Sequence, residues 1–297
     1  MKTNNTSVVV TEDNASTEIT KASSTSNESN KRKEASISQH LLVLAKRFAI
    51  DGALVASENQ MPLEDRTHKR ERLDNLRKQQ NIENIIEKSL TYCSTSDIKQ
   101  KADSDWFTRY IALAEQVSNP TMQDLWAKIL AGELVKPGAF SFKALKVFRD
   151  MSIYDAKLLA KASALAIKDQ SKKNIRLVSG SYQKPGLLSF FSSQRLQHIN
   201  LSQFGLNHAD LLALAENHLL YIQESESSLL QQSDTMNFTY NGLPLVLGAK
   251  KKNVVLQFYK LTPLGAELVQ LISDKPNEEF FNYLKSQLSH HFSISSD

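Results

Sequence analysis

The chain has 297 residues, with 36 Lys or Arg against 32 Asp or Glu and a formal charge of +4 at pH 7. That length implies about two domains and a core that needs no disulfide or metal, and the single cysteine, Cys93, excludes an intrachain disulfide and fits a reducing cytoplasmic setting. So mild a basic excess permits nucleic-acid contact without arguing for it; no run of about 18 apolar residues is present to span a membrane, and no N-terminal apolar core marks a signal peptide.

Residues 1–35 are rich in Ser, Thr, Asn and charge. They cannot bury enough surface to offset their ordering entropy, so a disordered tail is predicted, with Lys31-Arg32-Lys33 solvated. Residues 36–100 read as a helix followed by a long charged helix. In the first, Ile37–Ala56, Ile37, Leu41, Leu44 and Phe48 recur at helical spacing. A core-facing role is preferred over a membrane or partner helix, because Lys46 and Arg47 are too few for a basic anchor. Met61-Pro62 breaks the chain. From Leu63 to Tyr92 one long helix is expected. Its first half mixes both signs of charge, as a solvated surface does, and its second half turns Ile82, Ile85, Ile86 and Leu90 inward.

Residues 101–170 are expected to form a helical core unit. Both tryptophans of the chain lie here. Trp106, Tyr110 and Leu113 share one face of a helix from Asp105 to Val117. Asn119 and Pro120 supply the N-cap and first turn of the next, which carries Leu125, Trp126, Ile129 and Leu130. The predicted core motif is Trp106, Tyr110, Leu125, Trp126, Ile129 and Leu130. Lys136-Pro137-Gly138 forces a turn. Ser141 opens a short helix, and Ser152 with Asp155 opens another in capping-box fashion.

The run Asp105-Trp106, Arg109, Val117-Ser118, Gln123, Leu125-Trp126, Ile129-Leu130-Ala131-Gly132-Glu133, Pro137-Gly138, Phe140-Ser141, Leu145 and Asp155-Ala156 resembles a bacterial family known only as a domain of unknown function, number 2806 in its series. The likeness extends from about Gln80 to Leu288. The family has no assigned chemistry, so the resemblance implies relatives and no mechanism. Asp105, Arg109 and Glu133 form the candidate polar site of this run, with Asp124 and Arg149 as neighbours; the plainer reading is ion pairing between helices.

Residues 171–200 read as a polar linker with one strand near Ile175–Val178, punctuated by Ser179-Gly180-Ser181 and Pro185-Gly186. Residues 201–291 read as a small α+β module: a helix over Leu206–Leu219, a strand start at Leu219–Ile222, strands Leu243–Leu247 and Val254–Leu261 joined by a basic turn, then Thr262-Pro263 opening a helix and a last helix over Asn277–His291. The order resembles the wing and following helix of winged helix-turn-helix proteins, though His218-Leu219-Leu220 stands where Gly-Leu-Ile is usual. Lys250, Lys251 and Lys252 are the candidate phosphate contacts. The helix that would read DNA has no Lys or Arg from Asn207 to Leu219, which equips it poorly for base edges. Residues 292–297 are expected to be a tail.

The fold class expected from these elements is mainly α: a helical bundle unit, then a small winged-helix-like α+β module, after a disordered N-terminus. No Gly-rich phosphate loop, nucleophile elbow or metal-ligand spacing is present, so no catalytic residue, metal or cofactor is assigned. The preferred function is a non-enzymatic interaction or regulatory scaffold that binds a protein partner or its own copy. The rivals are a nucleic-acid-binding regulator using the lysine turn, with a loose likeness to abortive-infection proteins of phage defence, and an enzyme whose site lies in the central helical unit.

Overall fold

The structure, a computed structural model, describes residues 37–93, 103–171, 173–184, 196–273 and 275–295. The expected tail, residues 1–35, and Pro185-Gly186 lie outside the described residues. The chain divides into two compact units, Met1–Arg77 and Lys78–Asp297.

In the first unit, α1 covers residues 37–47 and is shorter than its apolar pattern suggests. Ala49 takes a left-handed φ of 54°. Ile50 N then bonds Ala45 O and Ala49 N bonds Lys46 O, which closes the helix as a Schellman motif. Short 3-10 turns follow at Gly52–Leu54 and Ser57–Asn59 before α2, Leu63–Leu90, begins. The expected core-facing role of the first helix fails. Ile37, Leu41, Leu44 and Phe48 are all exposed, and Ala45 is the one buried apolar residue of the unit among the described residues.

In the second unit, the C-terminal half of α2 seats Ile85 in the core with Ile82 packed against it, while Ile86 and Leu90, expected inward, are exposed. It is followed by α3 (Ser104–Ala114), α4 (Pro120–Val135), α5 (Phe142–Asp150) and α6 (Ile153–Ala164). The caps read from sequence are in place. Asn119 Oδ1 accepts from Thr121 N and Met122 N, and Ser152 and Asp155 form a reciprocal capping box.

The rest of the unit is far richer in strand than expected. β1 (Ile167–Asp169), β2 (Ile175–Gln183), β3 (Gln197–His198), β4 (Ser225–Glu226), β5 (Thr235–Tyr240), β6 (Leu243–Ala249), β7 (Val254–Lys260) and β8 (Phe292–Ser295) make one antiparallel sheet. Its order is β4-β7-β2-β1-β5-β6-β8, with β3 also on β2. Helix α7 (His208–Glu216) precedes β4, α8 (Pro263–Val269) follows β7, and α9 (Glu278–Leu288) precedes β8. The class is therefore mixed α+β rather than mainly α. Ser179-Gly180-Ser181, expected as linker punctuation, lies inside β2, where the register shifts between Val178 and Gly180 as at a β-bulge. Residues 292–295, expected as tail, pair with β6.

The expected hairpin between Leu243–Leu247 and Val254–Leu261 does not form. β6 pairs with β5 and β8, while β7 pairs with β2 and β4. β6 has two edges: β8 takes one, and the other goes to β5, because Asn241 and Gly242 hold φ of 44° and 88°. Positive φ at both positions is the backbone of a two-residue hairpin turn that favours Asn-Gly and commits β6 to β5. Leu219–Ile222 contributes a single bridge, Leu220 to Leu261.

The segment Leu261-Thr262-Pro263-Leu264-Gly265 fixes the start of α8. Thr262 Oγ1 accepts from Gly265 N to cap α8 and donates to His218 O. A Cβ at Gly265 would sit 2.2 Å from Leu219 O, so only glycine allows α8 this approach. One apolar cluster runs from Ile85 to Phe292 and joins helices to sheet.

The sheet curls. Ser181 Oγ of β2 lies 2.9 Å from His291 Nδ1 ahead of β8, although β1, β5 and β6 intervene along the sheet. Burial, helped by the charges of His290 and Lys251, pushes the His291 imidazole below its ordinary pKa. The unfolded chain then takes up this proton first as pH falls. Stability is full above the ordinary value of about 6.5 and declines as pH drops from there toward the depressed folded value. Chemical denaturation across about pH 5–7.5 should show that slope in the wild type and a flatter one in His291→Gln.

Candidate functional site

The two tryptophans anchor an aromatic stack. Trp106 and Tyr110 sit one helical turn apart on α3 and stack with centroids 5.2 Å apart. Tyr110 meets Trp126 of α4 edge-on at 5.3 Å, and Trp126 meets Phe148 of α5 at 5.3 Å. Tyr110 OH donates to Trp126 O at 2.8 Å, and burial pushes its phenol pKa well up. Trp106 Nε1 donates to Phe140 O at 2.8 Å. Ile129 and Leu130 are buried with them, whereas Leu125, expected in the same core, is half-buried.

Of the three candidate polar residues, Glu133 contacts the turn that follows α4 and Arg109 the start of α5. Asp105 is exposed in the first turn of α3. The Arg109 guanidinium lies 4.8 Å over the Phe142 ring. Glu133 is 2 % exposed, and its carboxylate accepts from Gly138 N at 2.6 Å and Phe140 N at 3.1 Å. No hydrogen bond or ion pair joins any two of the three among the described residues. Asp124 instead receives Tyr92 OH and pairs with Lys128, and Arg149 pairs with Asp150.

Glu133 thus ties down the Pro-Gly turn. This gives the acid ahead of the turn a structural use. Its companion was missed in the sequence: Glu267 Oε2 of α8 accepts from Ser141 N at 2.7 Å, 126 residues away. An acid meeting a helix N-terminus is favourable, but no local pattern signals a partner so distant.

A second feature was also missed. A groove of about 180 Å³ runs where α4, α5, α6 and α8 meet. Its walls include Leu125, Met151, Ile153, Ala156, Leu271 and Ile272. The sequence signal was an excess of apolar residues at helix ends, Met151 and Ile153 around a cap and Leu271-Ile272 beyond α8. Only Thr121 and Lys157 bring side-chain heteroatoms of hydroxyl or amine type to it.

The lysine turn is partly engaged. Lys250 Nζ donates to Ser289 O at 2.6 Å, while Lys251 and Lys252 are exposed. Helix α7 uses Asp210 to cap its own N-terminus with Asn207.

What this architecture defines is an α+β protein whose helices pack around an aromatic stack and join an antiparallel sheet in one core. No helix among the described residues is long and apolar enough to cross a membrane. The chain belongs to the family described as "Protein of unknown function (DUF2806)", which it matches over residues 65–285. Comparison with curated proteins and with solved structures returns no significant match.

Proposed function

We propose that the protein is a non-enzymatic interaction scaffold that binds a protein partner or its own copy. For a protein partner, the groove between α4, α5, α6 and α8 is the proposed seat of an amphipathic helix. The observation that carries this reading is the contrast between the two features above. The buried carboxylate of Glu133 is spent on backbone N–H groups. The groove offers apolar wall with almost nothing to orient a polar substrate. Helix-in-groove recognition reads side chains at i, i+3 and i+4 through such a surface, and the volume suits two or three aliphatic side chains better than a metabolite, whose pockets run to about 300–1,000 Å³.

The nucleic-acid reading draws on exposed Lys251 and Lys252. It has less support, because β6 and β7 do not pair into a wing and α7 carries no Lys or Arg. One experiment separates the two readings. Ala156→Arg projects a charged side chain into the groove, whereas charge reversal at Lys250, Lys251 and Lys252 leaves the groove intact. Partners captured by the wild type and identified by mass spectrometry should fall at least tenfold with Ala156→Arg and persist in the triple variant. Capture lost only in the triple variant, with steep salt dependence, would reverse the assignment.

A further inference from the structure

We infer that residues 37–63 form a self-association surface, the occupant being the same segment of a second copy of this chain. This gives the self-binding half of the function proposed above a location. It rests on the first unit alone, so its failure leaves the groove untouched.

Between Ile37 and Leu63, eleven large apolar side chains are 38–71 % exposed. Leu41, Leu42, Val43 and Leu44 are consecutive, so α1 presents apolar surface on more than one side. The apolar face of a helix is normally turned to a core or a partner. Exposed apolar patches of this extent mark interaction sites. Beside it a hollow of about 630 Å³ opens against α2, walled by Phe48, Ile50 and Leu73 and rimmed by Arg47 and Arg70.

The charges favour a second copy over a membrane. Residues 37–77 carry seven Lys or Arg and six Asp or Glu. A surface-lying anchor needs a basic polar face drawn to anionic lipid, and this unit has almost no net charge to supply one. Its unused charges are instead of both signs. Among the described residues Arg47, Arg70 and Arg72 have no acidic partner, and Asp51, Glu58 and Asp65 have no basic one. An isologous interface requires a patch that carries its own complement, and unpaired groups of both signs on and beside this segment meet that requirement.

The test is sedimentation velocity of the full chain over a micromolar concentration series. A dimer is expected, with its dissociation constant raised at least tenfold by Leu41→Asp combined with Leu44→Asp. Both tryptophans lie in the second unit, so unchanged tryptophan emission reports that its fold survives. Arg47→Glu with Arg70→Glu keeps every apolar side chain and should weaken the dimer in low salt, which guards against a variant that simply unfolds α1. A wild-type monomer at all concentrations overturns the inference. So does a dimer indifferent to both variants, or a monomer that floats with vesicles of phosphatidylcholine and phosphatidylserine.

Discussion

Glu133→Ala should destabilise the second unit by about 2–4 kcal/mol, since each buried donor left without a partner costs about 1–3 kcal/mol and Gly138 N can recover part of its loss from water. The carboxylate holds Gly138 N at 2.6 Å and Phe140 N at 3.1 Å from a side chain that is 2 % exposed. Phe140 in turn presents its carbonyl to Trp106 Nε1 and begins the approach to α5. Releasing the turn therefore loosens the link between α4 and α5 as well as orphaning two donors. Glu133→Gln supplies a discriminating control. Its amide has one acceptor oxygen, and its NH2 group would face the second donor, so it should recover less than half of the loss. Guanidinium denaturation followed by circular dichroism measures both. Equal stability of wild type and Glu133→Ala would show that the carboxylate is not fastening the turn and would return Glu133 to consideration as a free site residue.

The helical half was readable because its signals are local. Asn119-Pro120, Ser152 with Asp155, and Thr262-Pro263 each satisfy orphan N–H groups within four residues, so the chemistry of the cap sits beside the helix it starts. The sheet was not readable in the same way. β2 contains Ser179-Gly180-Ser181, which looks like a loop until β7 and β3 cover its two edges. The one strong local strand signal, Asn241-Gly242 between Tyr240 and Leu243, assigns β5 and β6 to each other; that β8 rather than β7 takes the other edge of β6 has no local signal.

The candidate site divides along the same line. That Trp106 and Trp126 brace the core follows from helical spacing. That Glu133 spends its carboxylate on its own turn depends on a backbone fold no spacing rule gives. The exposure of α1 was missed for another reason: periodicity says which residues share a face and is silent about whether anything covers it.

Trp126→Ala should cost about 3–5 kcal/mol, the range for emptying a buried aromatic site. Trp126 is 0 % exposed and touches Tyr110 and Phe148 on either side. The more searching comparison is between Trp126→Phe and Trp106→Phe. Burial alone ranks Trp126→Phe as the worse change, because Trp106 is 8 % exposed. Hydrogen bonding ranks them the other way. Trp126 Nε1 is buried without an acceptor among the described residues, whereas Trp106 Nε1 donates to the buried Phe140 O. Trimming Trp126 to Phe removes a donor already desolvated for no return, which offsets part of the lost packing. Trimming Trp106 to Phe orphans a carbonyl at about 1–3 kcal/mol on top of the same loss of ring volume. Trp106→Phe should therefore be the less stable of the two in denaturant melts followed by circular dichroism. The opposite order would mean that indole volume, and not the bond to the Phe140 carbonyl, is what Trp106 contributes to the join between α3 and α5.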